Sequence, residues 1–110
     1  MRLSGDGDVA VDVQAEDAVP ATATADAVRL VRRVAARTGR RVGYASVVLS
    51  VDQEWHGRRR NHVEATVDTV GLRLRGFAAA PTFAEALDDL GQVLDRRLDR
   101  ARDRLRSRRR

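Results

Sequence analysis

The chain has 110 residues, a length that suits one domain with a modest core. It contains no cysteine, which excludes disulfides, thiolate metal sites and cysteine nucleophiles; no apolar run approaches the roughly 20 residues of a membrane helix, and the cytoplasm is the expected location. The net charge is +5 and every basic residue is arginine, a balance that favours polyanionic partners.

In chain order, Asp8–Gln14 alternates with period two and predicts a half-buried first strand with Val9, Val11 and Val13 inward. Pro20 breaks the chain. Thr24 is a candidate N-cap with Asp26 in the first turn, and Ala27, Val31, Val34 and Ala35 recur at helical spacing. Arg29, Arg32, Arg33 and Arg37 fall on the opposite side, and Gly39 stops the helix, which is expected from about residue 25 to 38. Tyr44–Asp52 is the second strand, with Ala45, Val47, Leu49 and Val51 on one face. His56–Asn61 is a polar hairpin loop. A third strand follows with Val63, Ala65 and Val67 inward, then a tight turn at Gly71 and a fourth strand over Leu72–Phe77. Thr82 caps the last helix, with Glu85 three residues on as the partner of a capping box. Phe83, Leu87, Leu90, Leu94, Leu98, Ala101 and Leu105 then form the strongest periodic signal in the chain. Residues 82–107 would span roughly 40 Å as a helix, so its end is expected to project past the sheet or fray. The Arg-rich tail from about residue 106 is a frayed end or the start of a linker.

The order strand–helix–strand–strand–strand–helix, with one apolar face per strand, gives an α+β sandwich: a four-stranded sheet with two helices packed on one face, residues 1–110 forming a single domain.

No constellation points to catalysis, and the chain is read as a non-enzyme without cofactor or metal. His56 and His62 flank one hairpin loop with no third ligand at metal spacing, and are expected to be solvated loop residues. Asp6-Gly7-Asp8 lacks the remaining ligands of a calcium loop. Ser46 and Ser50 have no glycine elbow, and Asp88 and Asp89 fall on a helix surface. No glycine-rich phosphate loop is present.

The charges are unevenly placed. Residues 93–110 hold nine Arg against three Asp, residues 26–41 six Arg against Asp26, and residues 1–25 five acids against Arg2. A GC-rich genome would explain the choice of Arg over Lys but not this distribution. On a wheel with Leu94 at zero, Arg96, Arg97, Arg100 and Arg104 fall at roughly 200° to 300° and Asp88, Asp95, Asp99 and Asp103 at roughly 100° to 180°. Arg102 and Arg106 break that pattern. The last helix therefore has a buried stripe, an acidic flank and a basic flank able to track a phosphate backbone. Segregated charge also arises where a neighbouring helix supplies the opposite sign. The first helix is basic, though, and would repel the Arg flank. Arg58-Arg59-Arg60 at the hairpin tip is a weaker contact candidate.

From Tyr44 to Arg104 the chain resembles the ribosome hibernation-promoting factors and ribosome-associated inhibitors, also called the sigma-54 modulation family. The resemblance is carried by Val47-Val48-Leu49-Ser50-Val51, by Val63-Glu64-Ala65-Thr66-Val67, and by Phe83-Ala84-Glu85-Ala86-Leu87-Asp88-Asp89-Leu90 leading into Leu94-Asp95-Arg96-Arg97-Leu98-Asp99-Arg100. Phe83 stands where the family usually has Tyr, and Val93 where a Lys is expected. The resemblance implies a β-α-β-β-β-α fold and binding to ribosomal RNA of the small subunit between head and body, on the messenger and transfer RNA path. Translation is then inhibited in stressed or stationary cells, as ribosome hibernation. By position Arg96, Arg97, Arg100 and Arg104 inherit the family's basic helix face, with Arg29, Arg32, Arg33 and Arg37 as the second nucleic-acid-binding group. Long members carry a second domain that dimerises ribosomes; nothing here corresponds to it, so the chain is expected to be a short form or an N-terminal piece. The alternative is a protein-interaction or dimerisation module that reuses the fold through its strand edges and the alternating Arg73 and Arg75.

Overall fold

The computed structural model describes residues 2–3, 9–53 and 59–108. The elements are β1 (Arg2–Leu3), β2 (Val11–Ala15), α1 (Ala21–Thr38), β3 (Val42–Gln53), β4 (Arg59–Thr69), β5 (Leu72–Ala80) and α2 (Phe83–Arg108). The expected α+β sandwich is present: β2, β3, β4 and β5 form a mixed four-stranded sheet backed by two helices. The two-residue β1 adds itself antiparallel to β2, and the sheet order is β1-β2-β3-β4-β5. Asp6-Gly7-Asp8, His56 and Arg58 lie outside the described residues.

Alternation creates the buried face. β2 runs parallel to β3, with α1 as the connection between them, whereas β3, β4 and β5 form an antiparallel meander. Register then aligns side chains into rows across the sheet: Ala45–Val67–Leu74, Val13–Val47–Ala65–Gly76 and Ala15–Leu49–Val63–Ala78. Val11, Val13, Val47, Leu49, Val63 and Val67 are buried, while Gln14, Tyr44, Arg73, Arg75 and Phe77 on the helix-free face are exposed. Gly71 makes the β4–β5 turn at φ 80°, a left-handed conformation that costs a side-chain-bearing residue strain.

α1 packs on β2, β3 and β4, and α2 on β4 and β5. Two of the three rows end under α2 in small residues, Gly76 and Ala78, which lets the helix settle close to the sheet. A Cβ on Gly76 would lie 3.1 Å from both Leu90 Cδ1 and Leu94 Cδ2. Leu90, Leu94 and Leu98 are fully buried, and each contributes about 1.5–3 kcal/mol of transfer free energy. Beyond Ala101 no described residue of α2 is buried, so its last turns run past the core while remaining helical to Arg108.

Two sequence expectations need correction. α1 starts at Ala21 rather than near residue 25, and its N-cap is Pro20, not Thr24. Pro20 is extended at ψ 144°, its carbonyl accepts from the Ala23 and Thr24 amides, and Ala23 is buried, so core contact draws one more turn into the helix. Asp26 consequently sits past the first turn, where it is hydrogen-bonded by Arg29. The second correction concerns His62. It is not a loop residue: β4 begins at Arg59, and His62 lies on the open face with its side chain 21% exposed, stacked on Phe77 at 5.6 Å.

Candidate nucleic-acid interface

α2 owes its charge geometry to its core stripe. Once Leu90, Leu94 and Leu98 face the sheet, the acidic positions fall on one side and Arg96, Arg100 and Arg104 on the other. Thr82 Oγ1 accepts the Glu85 amide at 3.1 Å and holds the first turn. The structure decides which flank meets α1. Arg33 Nη1 lies 3.3 Å from Asp95 Oδ1, Arg37 donates to the same carboxylate, and Arg37 Nη2 approaches Asp99 Oδ1 at 3.5 Å. The acidic flank of α2 therefore faces the basic face of α1. The segregation inferred from the wheel has an internal cause on its acidic side, with α1 as the basic neighbour.

The eight arginines predicted from the sequence divide accordingly. Arg96, Arg97, Arg100 and Arg104 are exposed and form no ion pair among the described residues. Arg96, Arg100 and Arg104 lie on the flank of α2 turned away from α1. Arg33 and Arg37 are tied to α2. Arg29 is paired with Asp26 within α1, and Arg32 Nε donates to the Val9 carbonyl at 3.2 Å, towards the start of β2. The two helices thus do not present one continuous row of free guanidinium groups. Between them runs a groove of about 540 Å³ whose lining includes Arg29, Arg33, Asp88 and Asp95, a mixed rather than a basic surface.

The helix-free face is also largely self-satisfied. Arg75 donates to Glu64 Oε1 through Nε at 3.0 Å and Nη2 at 2.8 Å, and Arg73 Nε lies 3.9 Å from Asp68 Oδ2. His62 Nε2 lies 3.0 Å from Asp52 Oδ2, within ion-pair reach, although the buried ring nitrogen makes no aligned hydrogen bond. Arg59 and Arg60 open β4, where they are cross-strand neighbours of Gln53 and Asp52. Among the described residues no cluster of three or more His, Asp or Glu could hold a metal ion, and no helix is long and apolar enough to cross a membrane.

The exposed guanidinium groups of Arg96, Arg100 and Arg104 line one flank of α2, whereas Arg33 and Arg37 of α1 face Asp95 and Asp99. Reading the sequence missed that division. It also passed over Arg40, which follows the helix stop at Gly39 and whose Nη1 donates to the Val70 carbonyl at 2.8 Å.

Comparison with known proteins agrees with this architecture. A solved ribosomal subunit interface protein from Coxiella burnetii superposes with a TM-score of 0.61 at 12% identity, over 84% of this chain and 97% of that one. The N-terminal domain of Protein Y from Thermus thermophilus superposes with a TM-score of 0.64 at 17% identity, over 81% and 93%. At such identities the likeness is one of fold. A comparison with curated proteins found no match. The model of the sigma-54 modulation protein / S30EA ribosomal protein family matches residues 9–106, and the chain belongs to that family of ribosome-associated proteins.

Proposed function

We propose that this protein is a cytoplasmic hibernation factor that binds small-subunit ribosomal RNA near the messenger and transfer RNA path and inhibits translation. Arg96, Arg97, Arg100 and Arg104 make the main phosphate contacts; Arg29, Arg32, Arg33 and Arg37 form a secondary group. The observation that carries this reading is the free basic flank of α2: four exposed arginines without carboxylate partners among the described residues, in a member of a ribosome-associated family. Arginine suits the role because its planar fork donates two parallel hydrogen bonds to phosphate. The work is binding and occlusion rather than chemistry, in keeping with a family that is not an enzyme class.

The test is the salt dependence of binding to purified small subunits. Each phosphate contact contributes roughly 0.7–0.9 to the slope of log affinity against log salt. Replacing Arg96, Arg100 and Arg104 together by Ala lowers that slope by about 2–3 and abolishes binding at moderate salt. An unchanged slope in the triple variant refutes the site.

One observation favours a second reading, an interaction module on the helix-free face: Phe77 is 57% and Tyr44 44% exposed there. It predicts a homo-oligomer whose mass in light scattering is the same before and after nuclease. The pairing of Arg73 and Arg75 with neighbouring carboxylates leaves that face little free charge.

A further inference from the structure

The seam between α1 and α2 is complementary in charge for as long as the helices run side by side, with Arg33 and Arg37 against Asp95 and Asp99. α1 then ends at Thr38, and Gly39 turns the chain in a left-handed conformation, φ 66°. Two turns further along the same side of α2, seven residues beyond Asp95 and Asp99, stand Arg102 and Arg106. Arg40, Arg102, Leu105 and Arg106 line one depression of about 190 Å³. The pattern of opposite charges is replaced there by three arginines.

The surroundings hold Arg40 in place. Its Nη1 donates to the Val70 carbonyl, which orients the guanidinium plane and leaves Nε and Nη2 for other acceptors. Gly71 accommodates this: a Cβ there would lie 3.3 Å from Arg40 Nη1. The one carboxylate ion-paired with this trio among the described residues is Asp103, 3.8 Å from Arg106 Nη2, and both side chains are about three-quarters exposed. Like charges held at one depression repel unless an anion with several acceptor oxygens sits among them, and phosphate matches the fork of each guanidinium.

We propose that Arg40, Arg102 and Arg106 form a phosphate-binding site separate from the basic flank of α2. It takes a phosphate group, either of an RNA backbone or of a soluble phosphate compound. The RNA source rests on the ribosome-binding reading above; the soluble source does not. The depression and the flank carrying Arg96, Arg100 and Arg104 lie on different sides of α2, so one straight strand does not cover both.

The full chain is titrated with sodium pyrophosphate at constant ionic strength while the arginine Nε–H resonances are followed. Saturating shifts at Arg40 and Arg102, and at least a tenfold loss of pyrophosphate affinity in Arg102→Gln, are expected. Without pyrophosphate, Arg102→Gln melts at the same or a higher temperature at low salt, because repulsion is relieved; this separates loss of the site from loss of the fold. Equal, non-saturating shifts over all exposed arginines, or unchanged affinity in Arg102→Gln, overturn the proposal. With the site established, a small-subunit salt slope lowered by about 1 in Arg102→Gln assigns the phosphate to RNA. Unchanged subunit binding assigns it to a soluble compound. If the unaltered chain binds no subunits the functional reading fails, and the pyrophosphate titration still decides the site.

Discussion

Replacing Asp95 by Asn removes a charge while keeping the side chain's shape, and it probes the tie between the helices directly. Asp95 is 33% exposed and faces Arg33 and Arg37, which are 48% and 37% exposed. Half-exposed ion pairs are each worth about 0.2–1 kcal/mol, so losing two costs about 1 kcal/mol, equivalent to about 5 °C of melting temperature in a domain of this size. Because the pair is reached by solvent, the difference shrinks in 0.5 M salt, where the screening length falls to about 4 Å. The same substitution releases Arg33 and leaves Arg37 only its longer contact with Asp99. Small-subunit binding then tightens and its salt slope rises by about 1–2. Thermal melts of both proteins at two salt concentrations, followed by subunit binding, check each step. A salt-independent loss of stability would refute the electrostatic account of the tie, and weaker subunit binding would show that Asp95 presents these arginines rather than restrains them.

Two further predictions concern what positions α2. Gly76→Val drives a branched side chain against Leu90, Leu94 and Val93, whose nearest carbons lie 3.1–3.2 Å from the new Cβ, with both leucines fully buried. Overpacking of this kind costs about 1–3 kcal/mol, read as a lower urea midpoint. Thr82→Ala removes the acceptor of the Glu85 amide and costs about 1 kcal/mol, with subunit affinity in the folded protein unchanged because Thr82 precedes α2, several turns before Arg96.

Elements whose burial follows a local period were legible in the sequence. The alternation of Val63, Ala65 and Val67 and the four-three spacing of Leu90, Leu94 and Leu98 each identify an element and its buried face. Boundaries set by tertiary contact were not. Thr24 has the chemistry of an N-cap, yet Ala23 is buried in the core and α1 begins before both. In sequence His62 reads as part of a polar loop because His56, Arg58 and Asn61 lead directly into it. Cross-strand pairing places it on β4 beside Phe77 instead. The eight arginines could be named from a helical wheel, but their division could not. Whether Arg33 is free depends on Asp95, 62 residues away, and on a sheet order that sets the acidic flank of α2 beside α1. A wheel shows two flanks; only the packing says which one is covered.

The measurement that bears most directly on ribosome binding is sedimentation of the native chain with ribosomal subunits from stationary-phase cells at low magnesium, where the subunits separate. The account predicts that the chain travels with the small subunit, leaves it steeply as salt rises, and is displaced by messenger and transfer RNA. A chain that stays at the top of the gradient at low salt, or that distributes equally over both subunits, contradicts it.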